Sequence, residues 1–201
     1  KATLWGARTV LTNPLIDNLK YSLINYIQND LYINWFNINE LEFDKVYKKL
    51  VKYNPKIIKG YASALVEFAG FLEKNNLTDL RPKVLSTTSE TLLTNDRLYL
   101  QKIFKAPVYD QYGCGEISGI AYECPMHKGL HINREHVIVE ILNNENRRVI
   151  DNTGRIIATN LDNFVMPFIR YENGDYSTLL SNKCNCGVNQ PLLKSIDGRI
   201  M

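Results

Sequence analysis

The stretch VLSTTSETLLTNDRLYLQKIFKAPVYDQYGCGE, Val84–Glu116, decides the fold. Val84 to Thr87 is a short apolar-led run suited to a buried strand, Asp96 to Phe104 carries a helical pattern, and Val108 to Asp110 reads as the next strand. A strand, a helix and a second strand in this order predict a parallel sheet with helices packed on it.

Working upstream, the same alternation recurs. Ser63 is placed to cap a helix carrying Leu65, Phe68, Ala69 and Leu72, which Asn75 and Asn76 end. A short strand, Lys56 to Lys59, precedes it. Phe43, Val46, Tyr47 and Leu50 form another helical stripe that Pro55 stops. Leu15, Leu19, Leu23 and Ile27 form a third, with Asn13 as cap and Pro14 in the first turn, and this helix is predicted to end near Asn29.

Downstream, the period changes after Gly119. His136 to Leu142 alternates, with Val137, Val139 and Ile141 on one face, and the residues NNEN supply a turn before Arg147 to Ile150. Arg155 to Thr159 and Phe168 to Tyr171 read as further strands. The expected fold class is therefore α/β, a parallel sheet with flanking helices followed by a small antiparallel sheet or β-barrel-like subdomain. The boundary falls near Ile120, giving an α/β subdomain over 1–119 and a β-rich one over 120–201.

Composition narrows the function classes. The chain has 201 residues, 45% of them hydrophobic and 22% charged, which suits a globular protein rather than a disordered one. A net charge of +3 is too small to argue for nucleic acid or an anionic membrane surface. The lysine cluster at Lys48, Lys49, Lys52, Lys56 and Lys59 reads as a solvated face. No apolar run reaches the length of a membrane span, and the start KATLWGARTV lacks a signal-peptide core and an initiator methionine, so a piece of a longer cytoplasmic chain is expected.

Two acidic motifs about sixty residues apart carry the functional reading, YDQYGCGE at Tyr109–Glu116 and RYENGD at Arg170–Asp175. Glycines in the first let a ligand approach the backbone, and Glu116 is placed to reach a magnesium ion bridging phosphates. The plainer alternative puts Glu116 at a helix N-terminus, where it would complement the dipole. In the second, Asn173–Gly174 is a hairpin turn signal, so Asp175 is either turn chemistry or a carboxylate accepting ribose hydroxyls. Arg199, in the terminal IDGRI, is a phosphate or ribose candidate.

The cysteines form a second candidate site. Cys184 and Cys186 flank one residue, while Cys124 lies in ECPMHKGLH with His127 and His131 behind it. Three sulfurs and one imidazole would complete the tetrahedral shell that zinc prefers. His131 is favoured because it enters the neighbouring strand, with His127 the alternative. Free thiols, or a disulfide in a secreted protein, are the competing reading. Cys114 stands apart, in the glycine loop.

Taken together, TSE at Thr88–Glu90, RLYLQKIF at Arg97–Phe104, VYDQYGCGE, ECPMHKGLHI, FIRYENGD and CNCG resemble the phenylacetate:coenzyme A ligase branch of the adenylate-forming enzymes, including relatives tied to capsular polysaccharide synthesis. Order and spacing match from Pro55 onward. The resemblance implies attack of a substrate carboxylate on the α-phosphate of ATP, then transfer of the acyl-adenylate to a thiol such as coenzyme A. It implies a catalytic, magnesium-holding role for Glu116, ribose contact for Asp175, an adenine lining of Asp110, Gln111, Tyr112 and Gly113 with Ser89 and Glu90 nearby, and ribose or phosphate contact for Arg199. It also implies a structural zinc on Cys124, His131, Cys184 and Cys186.

The departures from that family are specific. No Ser/Thr/Gly-rich phosphate loop occurs before Lys59, GYAS at Gly60–Ser63 replaces the usual GYPS turn, and the sequence reaches only the expected hinge. A large fragment without turnover of its own is thus expected, its partners being a small carboxylic acid, a nucleotide, the C-terminal domain of the same protein and a second copy in a homodimer, with no nucleic acid and no membrane. The other readings are a non-catalytic adenine-nucleotide module and a zinc-stabilised interaction domain.

Overall fold

The computed structural model describes residues 1–6 and 14–199, without the side chains of 14–18, 37 and 199. The cap expected at Asn13 lies outside the described residues. The chain divides into two compact units, Lys1–Val108 and Tyr109–Met201. The division precedes the change of period after Gly119 because the strand carrying YDQY pairs with the strand that follows its loop.

In the first unit, β1 (Ala2–Trp5), β2 (Leu31–Asn34), β3 (Ile57–Tyr61) and β4 (Val84–Thr88) run parallel in the order β2-β1-β3-β4. Ala2, Leu4, Ile58 and Leu85 are wholly buried, as expected of a parallel sheet covered by helices. Helices α2 (Phe43–Tyr53) and α3 (Ala62–Lys74) bury their predicted stripes, Phe43, Val46, Tyr47 and Leu50 in one and Leu65, Phe68, Ala69 and Leu72 in the other. Phe68 lies edge-on to Trp35 at 5.8 Å and to Phe43 at 6.0 Å, the favoured geometry for ring quadrupoles. Asn54 closes α2 in the left-handed conformation, its N–H reaching Leu50. α4 (Thr94–Phe104) buries Leu100 and Phe104.

Three expectations change here. α1 (Pro14–Ile27) forms, but Leu19, Leu23 and Ile27 are 74%, 59% and 72% exposed, and no described α1 residue joins the core cluster. A helical period reports that a face is apolar and not what covers it. The β3 strand also runs through Gly60 and Tyr61, so the GYAS segment begins as strand, and a Cβ at Gly60 would lie 3.0 Å from the Leu4 carbonyl oxygen. Ser63 is not the α3 cap either; Tyr61 holds that position.

The second unit is antiparallel. β5 (Val108–Tyr112), β6 (Ala121–Glu123), β7 (Leu130–Ile132), β8 (Val137–Leu142), β9 (Thr153–Asn160), β10 (Tyr171–Leu180) and β11 (Leu192–Arg199) take the order β5-β6-β7-β11-β10-β9-β8. The order is linear, an open sheet, and no pairing among the described residues closes it into a barrel. Val137, Val139 and Ile141 are buried as their alternation requires, beside Ile132, Ile156, Ala158 and Leu193.

Three local readings are corrected. Arg147 to Ile150 is no strand and keeps only an isolated bridge between Leu142 and Arg148, because Asn143 Oδ1 accepts the N–H groups of Glu145 and Arg147 and tightens the turn. Phe168 to Arg170 stays irregular, and β10 starts at Tyr171. Most consequential, Asn173–Gly174 is not a hairpin. Both lie inside the ten-residue β10, where the register against β9 shifts between Glu172 and Tyr176 and Gly174 has φ +84°. An Asn-Gly pair also suits a bulge, where glycine relieves the left-handed backbone. Among the described residues no helix is long and apolar enough to cross a membrane.

Candidate functional site

The bulge in β10 turns Asn173 inward, where it is 7% exposed. There it meets Tyr112 from β5. The Tyr112 hydroxyl donates to Asp175 Oδ2 at 2.8 Å, and the Asn173 amide donates both to that hydroxyl oxygen and to Asp175 Oδ2, the latter at 3.1 Å. Asn173 Oδ1 in turn accepts the Asp175 N–H at 3.1 Å. Burial pushes the Tyr112 phenol far above the usual tyrosine range, with the Asp175 carboxylate adding to the shift, so the hydroxyl remains a donor. Asp175 is thereby held from two directions by neutral donors.

The YGCGE loop is built differently from its sequence reading. Gly113 is demanded by the chain itself, since a Cβ there would lie 2.7 Å from the Gly119 backbone nitrogen. At Gly115 a Cβ would meet nothing within 4 Å, so the packing of the chain does not demand glycine there. The Cys114 N–H bonds to the Ile117 carbonyl at 2.9 Å and closes the loop. No helix follows Glu116, which removes the dipole reading; its carboxylate accepts the Tyr171 hydroxyl at 2.8 Å instead. Asp110 and Gln111 are half-buried on β5.

Ser89 and Glu90 belong to the first unit, just past β4. Ser89 has φ +67°, a conformation that costs a non-glycine residue free energy and recurs at functional turns. The Glu90 carboxylate accepts the Ser63 N–H at 2.7 Å and the Ser63 hydroxyl at 2.9 Å, an acidic group on the N-terminal turn of α3. Arg199 pairs through its backbone with Asp175; its side chain lies outside the described residues.

The ligand atoms of Cys124, His131, Cys184 and Cys186 all lie within 4.8 Å of one another. β7 and β11 bring them together, since His131 pairs with Leu192, shortly beyond the CNCG turn. Thiolates about 2.3 Å from a tetrahedral zinc sit about 3.8 Å apart. The Cys124 and Cys184 sulfurs are 3.7 Å apart, and Cys186 Sγ is 3.3 Å from His131 Nε2. The donor set and its spacing therefore fit zinc. His131 Nδ1 faces the Gln190 carbonyl at 3.4 Å, the outer partner that a ligating imidazole ordinarily has. His127 is directed elsewhere, with Nδ1 3.2 Å from Glu123. The Cys186 N–H directed at Cys184 lowers that thiol to about 7, and burial raises the Cys124 thiol.

Sequence reasoning missed three residues of this region, Asn173, Tyr171 and Glu123. The Asn173 signal was present but was assigned to a turn, and Glu123 was visible only as an acid beside Cys124 and four residues before His127.

No protein-family profile matches the chain. It is 26% identical over 168 residues to protein CapK of Staphylococcus aureus, which covers 83% of this chain and 36% of CapK. A 2-hydroxyisobutyryl-CoA ligase solved in an open conformation with 2-HIB-AMP and CoA superposes with a TM-score of 0.78 at 19% identity, over 98% of this chain and 45% of that one. A benzoate CoA ligase from Burkholderia xenovorans LB400 gives a TM-score of 0.59 at 16% identity, over 85% of this chain and 35% of that one. The chain thus spans less than half the length of these relatives. It is similar in sequence to CapK and has the fold of the matching parts of these two CoA ligases.

Proposed function

We propose that the chain is part of an ATP-dependent, AMP-forming ligase that activates a carboxylic acid as an acyl-adenylate and passes the acyl group to a thiol such as coenzyme A. The observation that carries this reading is the fixed, half-buried carboxylate of Asp175, held by Tyr112 and Asn173. A carboxylate already ordered by its own protein loses little further freedom when it accepts the two hydroxyls of a ribose. Asp110, Gln111, Tyr112 and Gly113 lie on and just beyond β5, which suits a lining for the attached adenine.

Glu116 would hold magnesium, for which a carboxylate oxygen is an appropriate hard donor. Held there, the ion would supply positive charge to screen the phosphates. The Tyr171 hydroxyl, which donates to Glu116, orients the Glu116 side chain. Cys124, His131, Cys184 and Cys186 would hold a structural zinc that ties the 124–131 loop to the 184–186 turn. Ser89, Glu90 and Arg199 enter the proposal as adenine, ribose or phosphate contacts through the family resemblance.

Calorimetric titration with AMP tests the reading. The wild-type chain is expected to bind, and Asp175→Ala to weaken binding by about 2 kcal/mol, roughly thirtyfold, the scale of a lost hydrogen bond to a charged group. Wild-type protein that takes up no AMP or ATP would refute it.

A further inference from the structure

Glu123 occupies a position that the proposed ligase chemistry does not use. It ends β6, directly before Cys124, and its side chain is only 8% exposed. The β5–β6 ladder pairs Gln111 with Tyr122 and Tyr112 with Ala121. One step further along, the Glu123 carboxylate accepts the Asp110 backbone N–H at 2.9 Å. The same oxygen, Oε2, lies 3.2 Å from His127 Nδ1. His127 sits in the left-handed region at φ +50°, its N–H bonded to the Cys124 carbonyl at 3.0 Å, and its ring stacks on Tyr109 at 5.4 Å.

One buried carboxylate thus grips two separate pieces of chain. Through Asp110 it holds β5, the strand carrying the proposed adenine lining. Through His127 it holds the loop between Cys124 and His131, whose ends both belong to the Cys/His cluster. The Tyr109–His127 stack makes a second tie between the same strand and the same loop. A buried carboxylate is tolerated when donors surround it, and here the donors come from both structures that it joins.

We propose that Glu123 is a positioning residue that couples the Cys/His metal cluster to the nucleotide strand, so that metal bound at the cluster strengthens adenine-nucleotide binding, and nucleotide strengthens metal retention in return. The reciprocity is required of any such coupling, whatever its route. The inference rests on the nucleotide and metal readings above. It adds a link between them.

The experiment uses the purified chain, zinc-loaded or stripped with a chelator, and reads three quantities: AMP affinity, zinc content, and hydrogen exchange at the Asp110 amide. Stripping the metal is expected to lower AMP affinity about tenfold and to speed Asp110 exchange. Glu123→Ala is expected to keep one zinc per chain, bind AMP about tenfold more weakly, and lose the dependence on zinc. Glu123→Gln, which retains an acceptor for Asp110, is expected to restore most of the affinity. Unchanged AMP affinity and unchanged Asp110 exchange in Glu123→Ala would overturn the coupling, and so would loss of zinc and AMP together, which indicates collapse of the cluster. If Glu123→Ala does not fold, the stripped and loaded wild type and Glu123→Gln decide the matter by the same readouts. If wild type binds no AMP, the nucleotide reading fails, and zinc-dependent exchange at Asp110 still decides whether the strut exists.

Discussion

Replacing Tyr112 by phenylalanine removes one hydroxyl and nothing else from the centre of the candidate site. Two hydrogen bonds go with it, the donation to Asp175 at 2.8 Å and the acceptance from Asn173. A bond to a charged group contributes about 1.5–3 kcal/mol and a neutral one about 1 kcal/mol. Two features pull the total toward the lower end. Asn173 keeps its bond to Asp175 at 3.1 Å, and Asp175 is only half-buried, so water replaces part of what is lost. The expected destabilisation is about 2 kcal/mol. With a urea dependence of about 1–2 kcal/mol per molar, the midpoint of the transition reporting the second unit falls by about 1–2 M. AMP affinity falls by about 1 kcal/mol, roughly fivefold, because Asp175 keeps the Asn173 amide as a donor. Pairing Tyr112→Phe with Asn173→Ala in a double-mutant cycle is expected to return a coupling of about 1 kcal/mol. A Tyr112→Phe protein within about 0.5 kcal/mol of wild type, the range of an ordinary surface change, would refute the reasoning.

Other perturbations test separate parts of the molecule. In metal-free protein near neutral pH, Cys184 is expected to be the first thiol alkylated, since its thiolate forms near pH 7 while burial raises both Cys114 and Cys124; peptide mass spectrometry reads the order, and bound zinc is expected to suppress it. Phe68→Ala empties a wholly buried site beside Trp35, Phe43 and Phe71 and is expected to cost about 3–5 kcal/mol by urea unfolding; a loss under about 1 kcal/mol would mean that the aromatic core collapses around the gap. His136 Nδ1 lies 2.6 Å from Asp162 and holds that carboxyl below its ordinary value of 3.8, so this contact stabilises the fold above about pH 3.8 and fades as pH falls through the depressed value. Asp162→Asn is accordingly expected to flatten the acid limb of the stability curve, and an unchanged limb counts against the contact.

Much of the architecture was legible because its signals are local. The α2 stripe of Phe43, Val46, Tyr47 and Leu50 and the alternation of Val137, Val139 and Ile141 each need only a neighbouring turn or pleat to be read, and each is buried as expected. The same locality explains the failures. The stripe of α1 has the right period, yet its described apolar residues face solvent. Asn173–Gly174 has the composition of a hairpin, yet the hydrogen bonds that would make one are not local to it.

The amino-acid sequence by itself determined the alternation of helix and strand from α2 to β5, the carboxylates at Glu116 and Asp175, and the ligand types that could meet at the cysteines, while β1, β2, β6 and β11 were not read from it. Tertiary structure decided what those groups touch. Asp175 is held by Tyr112, which lies 63 residues away in the chain, and Cys124 meets Cys184 across 60 residues. His131 joins the cluster while His127 turns to Glu123, a choice that spacing left open. Hydrogen-bond and metal geometry are satisfied within a few ångströms. Which distant residues come that close is settled by strand register, here the bulge in β10 and the pairing of β11 with β7.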